Sequence, residues 1–277
     1  MRSRIFAPDL LAGQVALVSG GGSGLGRATA VELTRCGAQV VICGRRPEPL
    51  AETAALCVED RCTTHACDIR EEAQVSGLVD AVVERHGRID LLVNNAGGQY
   101  LAPAESITPK GFRTVVRLNV EGTWSMCQAV AGRAMLPAGR GRIVNVTLSP
   151  HHGLPGMAHS AAARAAVESL TRELAREWGP SGVVVVALAA GHFSTEVLRT
   201  KYPDVVVDAL PRTVPIQRLG TEDEFAWAVV LLASPAGPGL SGSVLTIDGA
   251  RDNGFGPWPP AGAADSEGAP PAESRRP

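Results

Sequence analysis

The chain has 277 residues, 45% hydrophobic and 19% charged, which is enough for one sizeable α/β domain and excludes wholesale disorder. Lys and Arg (26) nearly balance Asp and Glu (28), a formal net charge of −2, so the basic excess of a nucleic-acid binder is missing. With no run near the roughly 20 apolar residues of a membrane span, no secretory signal at the start and six scattered cysteines, the expectation is a reduced, cytoplasmic protein without a membrane partner.

In chain order, Gln14 to Ser19 reads as a buried strand that runs into a glycine cluster. Gly24 to Cys36 follows with helical periodicity and Gly37 as its stop. Next come a strand at Gln39–Cys43, a helix at Pro47–Cys57, a strand at Thr63–Cys67 and a helix at Glu71–His86. Further strands are predicted at Ile89–Val93, Arg142–Thr147, Val183–Leu188 and Ser243–Ile247. Long helices are predicted near 109–136, 158–178 and 222–233. This alternation implies right-handed βαβ units, hence a single-domain, Rossmann-like, doubly wound parallel sheet with helices on both faces. The domain is expected over residues 1–251. Residues 252–277 form a Pro/Gly/Ala-rich tail that lacks the apolar periodicity needed to offset its ordering entropy, with Phe255 and Trp258 as its only large anchors.

Ser19-Gly20-Gly21-Gly22-Ser23-Gly24-Leu25-Gly26 lies between the first strand and the first helix. In that position a tight turn aims backbone N–H groups and the helix N-terminus at a pyrophosphate, and Gly26 lets the helix approach the sheet. The second strand then indicates which dinucleotide. A carboxylate at its end would hold a ribose 2′-hydroxyl, but Gln39 to Arg46 contains no Asp or Glu and ends in Cys43-Gly44-Arg45-Arg46. Two guanidinium groups suit a 2′-phosphate, so the expected cofactor is NADP(H).

These residues resemble the short-chain dehydrogenase/reductase family. The loop is similar to its TGxxxGxG motif, with Ser19 for Thr. Asp68, followed by Ile69, matches a residue that contacts adenine, and Asn94-Asn95-Ala96-Gly97 matches the NNAG segment. Asn119 matches an asparagine that organises a proton-relay water. Ala190-Gly191 stands where Pro-Gly is usual, which implies that His192, Phe193, Ser194 and Thr195 line the nicotinamide. The stretches Asn94–Glu105, Pro109–Phe112 and His159–Val167 are most similar to the trans-2-enoyl-CoA and 2,4-dienoyl-CoA reductase branch, which implies a substrate with an activated double bond. Family members usually form homodimers or homotetramers through the two long helices.

The catalytic helix departs from the family pattern. Where Tyr-x-x-x-Lys is usual, the chain carries Ser160 and Arg164, and the usual serine falls near Leu148, beside Thr147 and Ser149. Arg164 can bind a ribose and stabilise an oxyanion, but it is no acid at neutral pH. Conjugate hydride addition tolerates this better than carbonyl reduction does, because the charge spreads over an enolate that is protonated at carbon. Histidine supplies the remaining acid or base: His151 and His152 follow the fifth strand, His159 precedes Ser160, and His192 follows Gly191. The expected catalytic set is Asn119, Ser149, His152, Ser160, Arg164 and His192. No metal is expected, since strand alternation sends Cys62 to the face opposite His65 and Cys67. The leading expectation is NADPH-dependent reduction of an enoyl thioester or enone. Two others are a non-redox isomerase, cyclase or lyase that uses the histidines with NADP held structurally, and a non-catalytic cofactor-binding subunit.

Overall fold

A computed structural model describes residues 2–149, 155–201 and 204–253. His151, His152 and Tyr202, together with the tail from residue 254 that contains Phe255 and Trp258, lie outside the described residues. Seven parallel strands form one sheet: β1 (Val15–Ser19), β2 (Gln39–Gly44), β3 (Cys62–Ala66), β4 (Leu91–Asn94), β5 (Gly141–Leu148), β6 (Val183–Ala190) and β7 (Val244–Ile247). Their spatial order is β3-β2-β1-β4-β5-β6-β7. The chain winds outward to β3, returns to the middle and winds outward again. The direction therefore reverses between β1 and β4, and a crevice opens beyond their carboxyl ends.

Period-two alternation divides the core between the two faces of the sheet. Ala16 and Val18 of β1 pack with Leu33, Phe225 and Val229 on one face. Val15 and Leu17 pack with Leu78, Val82, Met126 and Leu174 on the other. The first face is covered by α1 (Gly24–Arg35), α2 (Pro47–Leu56) and a helix at Glu222–Ala233, which a Thr221/Glu224 capping box starts. The second is covered by α3 (Glu72–His86), α4 (109–138) and α5 (Ala158–Trp178). Among the described residues no helix is long and apolar enough to cross a membrane.

Strand and helix bounds fall within about two residues of those predicted, with two differences. The helix α4 carries two π-helical stretches, Arg117–Glu121 and Ala131–Met135. A wide turn of this kind releases a backbone carbonyl, and side-chain periodicity gives no sign of it. Two short helices, Glu196–Lys201 and Asp204–Ala209, follow β6; at six residues each they are too brief to show a period.

Candidate active site

A cavity of about 590 Å³ runs along the carboxyl ends of the strands. Its floor near β1 is the glycine loop. Gly20 takes a positive φ of 68°, and its amide and that of Gly21 donate to the Cys43 carbonyl, which folds the turn tightly over β2. Gly26 packs against this turn: a Cβ there would lie 2.2 Å from the Gly20 carbonyl oxygen and 2.5 Å from Asn95 Nδ2. Gly20, Gly22, Ser23, Gly24 and Leu25 line the cavity, whereas Gly26 and Ser19 support it from behind. The Ser19 hydroxyl accepts the amides of Asn95 (3.1 Å) and Ala96 (3.0 Å), fastening β1 to the segment after β4.

The segment after β4 is similarly braced. Asn94 donates to Asn145 (2.9 Å), which donates to Thr171 on α5 (2.9 Å), while Asn95 Nδ2 donates to the carbonyls of Ser19 and Gly20. Asn95, Ala96 and Gly97 reach the cavity. Asn119, fully buried, does not. Its Nδ2 donates to the carbonyls of Gly98 and Val115, both at 2.8 Å, and its Oδ1 accepts the Gly98 amide at 3.3 Å. Asn119 thus bonds the Val115 carbonyl just before the π-helical stretch and ties α4 to the loop, so both ends of its amide are already engaged.

At the β2 end of the cavity, Arg45 and Arg46 are exposed and, among the described residues, form no ion pair. Asp68 and Ile69 line the same end. The Asp68 carboxylate is held by Arg70 through Nε (2.9 Å) and Nη2, and this bonding keeps its pKa below the usual carboxylate range. It is therefore committed to Arg70 before any adenine arrives.

Arg164 is the buried cation of the cavity, 9% exposed. Its Nη1 donates to the Val146 carbonyl at 2.6 Å, just past Asn94–Asn145, the last pair of the β4–β5 ladder. Its Nη2 lies over Gly97, where a Cβ would be only 2.2 Å away, and its Nε has no partner. Burial pushes the guanidinium down to about 10, which still leaves it charged at neutral pH.

The hydroxyls expected to polarise a substrate oxygen point elsewhere. Ser149 continues the β5–β6 ladder, its amide on the Ala190 carbonyl, and this sends its hydroxyl to Asp248; fully buried, it does not line the cavity. Ser160, also fully buried, has its hydroxyl 3.4 Å from Gln99 Oε1. The polar side chain that reaches the cavity there is Gln99, which the sequence reading passed over although it stands two residues beyond the NNAG segment.

Of the expected pocket histidines, His192 is the one among the described residues that lines the cavity. His159 is fully buried: its Nδ1 accepts the Ser160 amide (2.9 Å) at the start of α5, and its ring meets Tyr100 edge-on at 4.3 Å. His152 lies outside the described residues. His192 lines the cavity and bonds through Nε2 to Arg251. Burial, reinforced by the Arg251 charge, pushes its pKa down to about 4, so it is neutral at physiological pH and no ready acid. Gly191 and Thr195 form the adjoining wall, together with Phe193, whose ring stacks edge-on against Phe225 at 5.6 Å. Arg251, the last residue of the expected domain, stands in no motif, so nothing in the sequence singles it out.

The residues fit an extended dinucleotide. Ser23 makes no side-chain cap to α1, so the first amides of that helix face the cavity with its positive dipole end. Gly97 keeps the opposite wall free of a side chain, and Arg164 Nε is a buried donor without a partner.

Comparison with known proteins agrees with this geometry. A family model described as Enoyl-(Acyl carrier protein) reductase matches residues 20–250. The chain is 37% identical over 253 residues to the peroxisomal 2,4-dienoyl-CoA reductase [(3E)-enoyl-CoA-producing] of Danio rerio, covering 89% of this chain and 84% of the relative. It is 34% identical to the probable 2,4-dienoyl-CoA reductase [(2E)-enoyl-CoA-producing] of Bacillus subtilis (strain 168), covering 85% and 95%. Among solved structures, the citronellol catabolism dehydrogenase (AtuB) of Pseudomonas aeruginosa PAO1 superposes with a TM-score of 0.80 at 43% identity, over 90% of this chain and 98% of that one. The chain belongs to the short-chain dehydrogenase/reductase family, whose members are oxidoreductases that use nicotinamide cofactors.

Proposed function

We propose that the protein uses NADPH to reduce the activated carbon–carbon double bond of an enoyl thioester or enone. One observation carries this reading: of the guanidinium groups that line the cavity, the buried Arg164 and the half-buried Arg251 supply fixed positive charge without a proton to give at neutral pH. Reducing a ketone to an alcohol needs a proton at oxygen in step with the hydride. Reducing a conjugated double bond needs only stabilised charge at oxygen, with the proton taken at carbon from water. The relatives named as dienoyl-CoA reductases point to the same chemistry.

When bound, the nicotinamide supplies the hydride. The protein holds the pyrophosphate on the amides of the glycine loop and of α1, and Arg45 and Arg46 meet a 2′-phosphate with charge-assisted bonds. Arg164, fixed by the Val146 carbonyl, keeps positive charge beside the reacting ring, and its unpartnered Nε is placed for a ribose oxygen. Gln99, which also lines the cavity, orients the acyl group. Phe112 and Trp124, both exposed on α4, fit the expected homodimer or homotetramer.

The test is loss of NADPH absorbance with a panel of enoyl thioesters, enones and ketones, beside a fluorescence titration of NADPH and NADH. Oxidation that depends on thioesters or enones, with NADPH preferred, is the expected result. Tight NADPH binding with turnover of ketones alone, or of no panel member, overturns the reading.

A further inference from the structure

Arg251 forms no direct ion pair among the described residues, and the carboxylate acting on it, Asp248, does so only through space. Arg251 opens the short turn Arg251–Asn253 after β7, half-buried, with its guanidinium on the wall of the same cavity. Its Nη1 bonds to Nε2 of His192. Asp248, three positions earlier, is engaged otherwise: its Oδ2 accepts the Ser149 hydroxyl and, at 2.7 Å, the Asp252 amide. Leu148, Met157, Leu198 and Leu210 line the same cavity. A half-buried cation bonded to one imidazole and open to a cavity, with the Asp248 carboxylate already bonded to the Ser149 hydroxyl and the Asp252 amide, favours an oxygen bearing negative charge.

We propose that Arg251 binds the carbonyl oxygen of the substrate's acyl group, with His192 as the positioning residue and the leucine wall as the seat of the acyl chain. This rests on the reading of an activated acyl substrate above. In the step it serves, the reduced nicotinamide would supply the hydride pair, its own C–H bond breaking as the ring is oxidised and a C–H bond forms at the β-carbon. The alkene π pair moves to the bond between Cα and the carbonyl carbon, and the carbonyl π pair moves to oxygen. The Arg251 N–H groups meet that oxygen as its charge grows, and water then protonates Cα and restores the carbonyl. Arg164 is fixed on Val146 and serves the cofactor side, so the two cations divide the site.

The experiment uses the full chain as wild type, Arg251→Met and Arg251→Lys. It combines calorimetric titration of hexanoyl-CoA and of sodium hexanoate in the presence of NADP+ with turnover of trans-2-hexenoyl-CoA. Arg251→Met should weaken hexanoyl-CoA binding at least about tenfold and lower kcat about a hundredfold, with NADP+ affinity unchanged and partial rescue by Arg251→Lys. Equal binding and kcat in wild type and Arg251→Met overturn the proposal. If Arg251→Met fails to fold, an Arg251→Lys enzyme with wild-type kcat and hexanoyl-CoA affinity overturns it. A wild type that reduces no thioester or enone refutes the functional reading alone. Arg251 is then judged by binding: hexanoate or hexanoyl-CoA held by wild type and lost in Arg251→Met sustains it, and no difference, or no binding by either protein, overturns it.

Discussion

Replacing Arg164 by Met separates what this residue does for the fold from what it does for the chemistry. The substitution keeps a long apolar stem and removes the guanidinium. Burial lowers the native pKa of Arg164 from 12.5 to about 10. A native value below the unfolded one means that the charged form is disfavoured in the fold at every pH below about 10. At neutral pH this costs the native state about 3 kcal/mol, which the variant escapes. Against that, the variant loses the 2.6 Å bond to the Val146 carbonyl, about 1.5–3 kcal/mol for a charged donor. The two nearly cancel, so the urea midpoint at pH 7 should move by no more than about 1–2 kcal/mol in either direction. Turnover should instead fall about 10²-fold, the loss expected when a reactant is held about 1 Å out of place. A variant destabilised by well over 3 kcal/mol that still turns over at the wild-type rate would refute this reasoning and make Arg164 a purely structural residue.

Gly26→Ala should lose about 1–3 kcal/mol in a denaturant melt and bind NADPH at least about tenfold more weakly, since its Cβ would meet the Gly20 carbonyl at 2.2 Å and Asn95 at 2.5 Å. Gly77→Ala is the control: exposed within α3 with nothing within 4 Å of the added carbon, it should gain about 0.5–1 kcal/mol. The His192 pKa of about 4 lies below its ordinary 6.5, so the unfolded chain binds the extra proton. Wild-type stability should then fall by up to about 3 kcal/mol as the pH drops from 6.5 towards 4. Urea melts at stepped pH should show a shallower slope in His192→Gln, and equal slopes would remove burial as the cause. Joint replacement of Arg45 and Arg46 by Ala should weaken NADPH by about 100-fold or more and leave NADH nearly untouched in the same fluorescence titration, from two charge-assisted bonds of about 1.5 kcal/mol or more each.

Much of this protein was legible in local pattern. Apolar runs such as Val15–Ser19 and Val183–Ala190 alternate with helical periods because a parallel sheet must be covered on both faces, and that alternation is written residue by residue. The glycine loop was readable for the same reason: a turn that needs φ of 68° at Gly20 and close packing at Gly26 restricts side chains at those positions. The Cys43-Gly44-Arg45-Arg46 ending of β2 likewise shows its charge directly in the sequence.

The direction of a side chain at a strand end, and its protonation, depend on what lies across space. Ser149 and Ser160 occupy the predicted places, yet ladder register turns one hydroxyl to Asp248 and helix packing turns the other to Gln99. Both ends of the Asn119 amide are engaged because α4 and the loop after β4 meet there, giving it the Val115 and Gly98 carbonyls and the Gly98 amide. His192 is held neutral by burial and by an arginine 59 residues along the chain, brought beside it only because β6 and β7 are neighbours in the sheet. Hydrophobic period and turn chemistry are short-range properties that a sequence displays directly. Desolvation and hydrogen-bond partnership at the site are sums over residues that only the folded chain brings together.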